Sequence, residues 1–172
     1  MNLQDNDFVL FSVPERFVQD RTTLDSRWKE LQKEAHPDRF AAQGTAAQRV
    51  AMQWSVRINE AYQRLKDPLK RAAYLCELRG APIDAESNTA MPAAFLMEQM
   101  AWREELDDAS TAAELDALQQ QLDGARAGIL GQLANLLDTA GDAAGAAQKV
   151  RALMFVERFG RDVEARMDQL GQ

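Results

Sequence analysis

The fold of this chain is set by residues 22–65, which read TTLDSRWKELQKEAHPDRFAAQGTAAQRVAMQWSVRINEAYQRL. Apolar residues recur every three or four positions on both sides of a central His-Pro-Asp sequence, which is the spacing of one face of an α-helix. The first stripe is Leu24, Trp28, Leu31 and Ala35, and the second is Val50, Trp54, Ile58, Ala61 and Leu65. Because Pro37 cannot continue a helix, the pattern predicts two antiparallel helices joined by a loop over 35–44.

Helical spacing also dominates the rest of the chain. A short apolar run, Asp7–Phe11, precedes the hairpin, and a helix over 69–78 is expected to follow it. Gly80, Pro82 and Pro92 then indicate a linker over 79–92. Beyond it, residues 93–109 and two further apolar stripes keep the helical period, which predicts an antiparallel three-helix bundle. The two stripes are Leu115, Leu118, Leu122, Ala125, Ile129, Leu133 and Leu136, then Ala146, Val150, Leu153, Val156, Val163, Met167 and Leu170.

The sequence therefore predicts an all-α protein with domains over 1–78 and 93–172. A chain of 172 residues, of which 46% are hydrophobic, is long enough for one or two globular domains. It contains one cysteine and one histidine, which exclude an internal disulfide and a multi-histidine metal site. We expect no cofactor and no metal.

Charge is distributed unevenly along the chain. Residues 1–75 carry 12 Lys and Arg against 10 Asp and Glu, whereas residues 76–172 carry 8 against 17. The overall charge of -7 argues against general nucleic-acid binding, which requires neutralisation of phosphates. The asymmetry is compatible with two surfaces for two partners, or with an acidic solvated bundle beside a neutral domain. We find no signal peptide or membrane-spanning run and expect a cytoplasmic location.

The His-Pro-Asp sequence at the hairpin tip is the first candidate site. The helix before it carries Lys29 and Lys33 on its outer face and Arg27 on a flank. An exposed tip next to a basic face is suited to recognition of a partner. The alternative is that His36-Pro37 only ends a helix and Asp38 caps the turn.

The helix over 93–109 is the second candidate site, because a helical projection divides it into two apolar faces. Phe95, Trp102, Leu106 and Ala109 line one face, and Leu96, Met97, Met100 and Ala101 lie roughly opposite with Glu104 beside them. Both faces cannot enter one small core, and flexible methionines at a surface favour partner recognition. Alternatively, one face packs on the N-terminal domain. Phe155 is off the core stripe of the last helix, and either joins this surface or packs across a bundle groove.

Three groups of motifs resemble the HscB family of iron-sulfur co-chaperones. They are His36-Pro37-Asp38-Arg39-Phe40; Ile58-Asn59-Glu60-Ala61-Tyr62-Gln63-x-Leu65 with Pro68-Leu69-x-Arg71-Ala72-x-Tyr74-Leu75; and Phe95-Leu96-Met97-Glu98-Gln99-Met100 with Arg103-Glu104-Glu105-Leu106-Asp107. The first is shared by J-domains generally, whereas the second and third at this separation are far more specific to HscB-type proteins. The likeness spans essentially the whole chain.

The resemblance implies a J-domain followed by a scaffold-binding domain. By that likeness the J-domain activates a DnaK-like chaperone, HscA, through His36, Pro37 and Asp38, with Arg27, Lys29 and Lys33 assisting. The C-terminal bundle would bind the cluster scaffold IscU. The residues implied in that contact are Leu96, Met97, Met100, Arg103, Glu104 and Phe155. Ala101 departs from the family pattern, in which we expect a larger acidic residue.

Two other functions are compatible with the residues. A J-domain co-chaperone for a different client would share the tip and differ in the C-terminal surface. A hydrolase built on His36 and Asp38 would need metal ligands or a nucleophile with a base, and the sequence offers no second histidine and no nucleophile motif. We therefore predict that the protein is not an enzyme, and the resemblance implies that it instead stimulates the ATPase of its partner.

Overall fold

The structure, a computed structural model, describes residues 2–84 and 91–171, and these residues form helices with no strand. The expected all-α fold is confirmed. Seven α-helices lie within the described residues, together with a 3-10 segment before α3 and a π-helical segment after α6. Their bounds are α1 Asp7–Phe11, α2 Arg21–Ala35, the 3-10 segment Pro37–Gln43, α3 Thr45–Lys66, α4 Pro68–Leu78, α5 Ala93–Asp108, α6 Ala112–Ala134, the π segment Asn135–Ala140 and α7 Ala143–Leu170.

The chain divides into two compact units, Met1–Leu75 and Cys76–Gln172. This division falls inside α4, whereas the sequence suggested domains over 1–78 and 93–172 separated by a linker. Of that linker, residues 85–90 lie outside the described part of the chain. No helix in the described ranges combines the length and the apolar character that crossing a membrane requires.

The first unit is built on the hairpin of α2 and α3. The inward faces of these helices bury Leu24 and Leu31 from α2 and Ile58, Ala61 and Leu65 from α3. Such spacing at three and four positions aligns these side chains on one face, so burying them holds the two helices together. The expected stripes are therefore confirmed at these positions, but Val50 is 50% exposed and is not part of the core.

A buried ion cluster fixes α1 against the hairpin. The Asp7 carboxylate is fully buried and lies 2.8 Å from the Arg57 guanidinium and 2.5 Å from that of Arg64. The backbone N–H of Asp7 donates to the hydroxyl of Tyr74, 2.9 Å away, and the Arg64 guanidinium lies over the Tyr74 ring. The carboxylate is thereby compensated by two cations, and Phe8, Leu10 and Phe11 of α1 are held in the core.

The second unit is an antiparallel three-helix bundle, as expected, made of α5, α6 and α7. The α6 and α7 helices form its main contact, and most of the predicted stripe residues that face each other are buried. Leu170, predicted as the last residue of the α7 stripe, is instead 43% exposed at the end of that helix. A short connection that contains Gly141 at a φ of 65°, a left-handed value that favours glycine, reverses the chain between them. Trp102 and Leu106 pack α5 onto this pair and leave its opposite side in solvent.

Candidate functional site

The His-Pro-Asp tip projects from the first unit between α2 and the 3-10 segment. His36 is extended (φ -60°, ψ 129°), as expected for a residue that precedes proline, and this conformation ends α2. Pro37 then occupies the first turn of the 3-10 segment, where its missing N–H costs nothing. The sequence predicted a connecting loop over 35–44, and within this connection residues 37–43 form a short 3-10 helix.

Local hydrogen bonds give the tip a defined shape. The Nδ1 atom of His36 accepts from the backbone N–H of Asp38 at 3.2 Å and lies 3.7 Å from the Asp38 carboxylate. A neutral imidazole that accepts at Nδ1 carries its proton on Nε2, which is then a donor for a partner. The side chain of His36 is 57% exposed and that of Asp38 is 93% exposed. The tip therefore presents a donor and a carboxylate to solvent.

Arg39 also supports the tip, and the sequence argument gave it no role. Its guanidinium donates to the backbone carbonyl of Lys33 at 3.4 Å, which satisfies one of the free carbonyls in the last turn of α2. The pairing of a cation with a helix C-terminus is also electrostatically favourable. Its position next to Asp38 in the quoted motif is the signal that could have identified it.

The basic residues before the tip are not equivalent. Lys29 and Lys33 are exposed and lie four positions apart, so they share one face of α2. Arg27 is instead engaged inside the unit, because its Nε donates to the carbonyl of Phe11 at 2.9 Å and its Nη1 pairs with Glu30 at 2.6 Å. Lys29 and Lys33 thus present exposed positive charge on the helix that leads to the tip.

The second surface is the α5 outer face, which we define as Leu96, Met97 and Met100 with the adjacent Arg103 and Glu104. Leu96 is 45% exposed, Met97 71% and Met100 72%. The core side of the same helix carries Trp102 and Leu106, which are buried. The predicted division of this helix into two faces is therefore confirmed. Three large apolar side chains on adjacent turns in water form a patch of the kind that marks interfaces.

Phe155 of α7 lies in an aromatic cluster next to the α5 outer face. Its ring centroid is 5.9 Å from that of Phe95, 6.4 Å from that of Trp102 and 5.8 Å from that of Phe159. Trp102 and Phe159 are buried, whereas Phe95 and Phe155 are half-buried at the edge of the cluster. Arg103 lies over the Phe159 ring and reaches Asp162 of α7 at 3.5 Å. The cluster thus connects α5 to α7 and fixes the orientation of the patch.

The remaining candidate for chemistry, Cys76, is fully buried. Burial raises the pKa of its thiol to about 11, so the thiol is protonated at neutral pH and unreactive. Within residues 2–84 and 91–171, no cluster of three His, Cys, Asp or Glu side chains could hold a metal ion. Both candidate sites are exposed surfaces suited to binding.

The fold and its two surfaces define a helical binding protein with a separate unit for each surface. Residues 91–164 match the family model described as the HSCB C-terminal oligomerisation domain. The chain is 51% identical to the co-chaperone protein HscB homolog of Burkholderia thailandensis over 99% of this chain and 98% of that protein, and 49% identical to that of Burkholderia multivorans over the same shares. The chain belongs to the HscB family of co-chaperones.

Solved structures agree with this assignment. Chaperone HscB from Vibrio cholerae superimposes with a TM-score of 0.83 at 37% identity, covering 96% of this chain and 99% of that one. Human co-chaperone HscB superimposes with a TM-score of 0.91 over 97% of this chain and 84% of that one. At 22% identity the human protein supports the fold alone.

Proposed function

We propose that this protein binds an IscU-type iron-sulfur scaffold, delivers it to an HscA-type DnaK-like chaperone and stimulates the ATPase of that chaperone. In this proposal residues 1–78 act as the J-domain, 79–92 as a linker and 93–172 as the scaffold-binding domain. The protein works in the cytoplasm, and its single buried thiol suits a reducing compartment.

The α5 outer face is the observation that carries the proposal. Met97 and Met100 are each more than two-thirds exposed, although the same helix has a well-packed core side. Burying such side chains against a partner is favourable by about 25 cal/mol per Å² of apolar surface. Arg103 and Glu104 follow Met100 on the same helix, and Phe155 is half-buried against Phe95; in the proposal these three residues supply a polar and aromatic edge for the scaffold.

The His-Pro-Asp tip supports the second half of the proposal. His36 and Asp38 make polar contacts to the chaperone, while Pro37 sets the direction of the segment between them. Lys29 and Lys33, with a smaller contribution from the engaged Arg27, steer the approach of an acidic chaperone surface, so rising salt weakens docking.

The protein accelerates hydrolysis without performing chemistry. The chaperone binds the nucleotide, and a co-chaperone raises the rate only by binding one conformation of the chaperone more tightly than another. The tip has the composition for this task, because the exposed His36 side chain offers a donor and the exposed Asp38 side chain offers a carboxylate. His36 is thus a recognition residue, not a general base.

Single-turnover ATP hydrolysis by HscA, with and without IscU, tests the proposal. Asp38→Asn keeps the shape of the side chain and removes its charge, and we expect it to abolish stimulation in both settings. Met100→Asp should abolish only the additional stimulation that depends on the scaffold. Asp116→Asn on the exposed side of α6 and Met52→Asp on α3 repeat the same chemical changes elsewhere and should behave as wild type.

The same assay separates the proposal from its alternative. If the wild-type protein stimulates HscA and binds no IscU, the tip assignment stands and the client is a different protein. If the wild-type protein leaves the ATPase of HscA unchanged, the co-chaperone mechanism proposed here is wrong.

A further inference from the structure

A groove beside the His-Pro-Asp tip is not used by the proposed function. It has a volume of about 490 Å³ and lies among the end of α2, the 3-10 segment and the start of α3. Leu31 and Ile58 are buried in its floor, and Trp54, half-buried, forms part of its wall. This size and this apolar lining are typical of pockets that receive a ligand or a side chain.

Val50 shows that the groove lacks a partner in the isolated chain. Its place in the apolar stripe of α3 predicted a core position, yet it is 50% exposed where it lines this groove. The reason is the length of α2, which ends at Ala35, so that the short 3-10 segment packs against α3 beyond that point. A residue with core spacing is thus left in solvent beside an apolar groove.

The groove is continuous with the tip. Phe40 lines the groove and belongs to the same 3-10 segment as Pro37 and Asp38. At about 2 Å of rise per residue, Phe40 lies roughly 8 Å along the segment from His36. A standard interface covers about 800 Å² on each partner, a patch of roughly 30 Å across, so a chaperone docked on the tip covers the groove as well.

We infer that this groove receives an apolar side chain of the chaperone and is a second anchor for docking, next to the polar contacts of the tip. The inference rests on the proposed function, because it takes the chaperone as the occupant. Filling the groove also contacts Phe40, which fixes the 3-10 segment and hence the orientation of His36 and Asp38. The groove contributes to the affinity for the chaperone, whereas the tip stimulates the ATPase of the chaperone.

Replacement of two neighbouring alanines by phenylalanine, one in the groove and one outside it, tests the inference. Ala47 is half-buried and lines the groove, whereas Ala46 is exposed and does not line it. Ala47→Phe fills the groove, so we expect the concentration needed for half-maximal stimulation of the HscA ATPase to rise about tenfold, the effect of losing one interface anchor. Maximal stimulation should persist at saturation because the tip is unchanged. Ala46→Phe should match wild type in both quantities.

A second matched pair of variants, at Val50 and Met52, tests the same inference if Ala47→Phe does not fold. Val50 and Met52 lie on the same helix and are 50% and 54% exposed, but only Val50 lines the groove. Val50→Asp should therefore weaken docking by about tenfold or more, and Met52→Asp should leave it unchanged. Binding of IscU should be the same for all four variants, since the α5 outer face is untouched.

Three results would contradict the groove assignment. Wild-type behaviour of Ala47→Phe and Val50→Asp, while Asp38→Asn abolishes stimulation in the same assay, overturns the groove and leaves the tip assignment intact. If the wild-type protein does not stimulate HscA, the proposed function fails and the groove assignment fails with it. Concentration-dependent dimerisation that Val50→Asp abolishes would assign the groove to a second copy of this chain and overturn the inference.

Discussion

Replacement of Asp7 by asparagine should destabilise the first unit strongly. The carboxylate is fully buried and pairs with Arg57 and Arg64, whose side chains are 17% and 38% exposed. Asparagine keeps the shape of Asp7 and removes the charge, which leaves two cations around a buried neutral amide. Breaking a buried ion pair in this way costs about 3–5 kcal/mol.

The lower figure already has a large effect on a unit of this size. Small domains have stabilities of about 5–15 kcal/mol, and a loss of 3 kcal/mol lowers the melting temperature of a domain of 60–100 residues by roughly 12–24 °C. Hydrogen exchange followed by mass spectrometry measures the loss separately in each unit. Amides of α1 and α3 should exchange faster in Asp7→Asn, while amides of α6 in the same sample serve as the internal control.

The Asp7 variant also separates the two proposed activities. Loss of the first unit should reduce stimulation of the chaperone near the melting temperature of the variant, while binding of the scaffold to α5 persists. A change in stability below 1 kcal/mol would refute the reasoning, because it would mean that the carboxylate does not hold the two arginines in place. A double-mutant cycle with Arg64→Met then measures the coupling directly.

Three further predictions follow from individual side chains. In Tyr62→Phe the pKa of Asp25 should rise, as measured by carbon-detected NMR titration, because the Tyr62 hydroxyl donates to that carboxylate at 2.6 Å and, with Arg21, holds its pKa below the usual value. The contribution of Asp25 to stability is present at neutral pH and is lost as pH falls through the folded pKa, so the stability of the variant should depend less strongly on acid pH. The Cys76 thiol should react with iodoacetamide at pH 8 at least about 100-fold more slowly in the folded protein than in urea, and equal rates by mass spectrometry would contradict its burial. Gly124→Ala should stabilise α6 by about 0.5–1 kcal/mol, because no atom lies within 4 Å of the added Cβ, and a lower urea midpoint would argue against this.

The candidate sites were predictable wherever local sequence alone defines exposure. Pro37 ends α2 because of its own ring, so the tip is visible in the sequence. The two faces of α5 follow from helical period, and the exposure of Met97 and Met100 agrees with it. The specific partners in the proposal come from resemblance to the HscB family, and helical period carries no information about them.

Other features depend on elements that are distant in the sequence. Arg27 was expected on a flank of the basic face, where it would assist chaperone binding, but the carbonyl of Phe11 and the carboxylate of Glu30 engage its guanidinium. Phe155 was expected either at the scaffold surface or across a groove, and the structure places it half-buried against Phe95 and Trp102. These positions depend on which side chains approach from another helix, and the spacing of apolar residues along one helix does not contain that information.

The helical class, the break at Pro37 and the two-sided character of α5 can be predicted from the amino-acid sequence, because each depends on local geometry and the spacing of apolar residues. The packing of distant helices is what brings Arg57 and Arg64 to the carboxylate of Asp7 and neutralises it. Packing also explains why Val50 stays in solvent, since α2 ends at Ala35 and does not extend over the start of α3. Burial is a property of packed neighbours, and those neighbours are assigned only when the chain has folded.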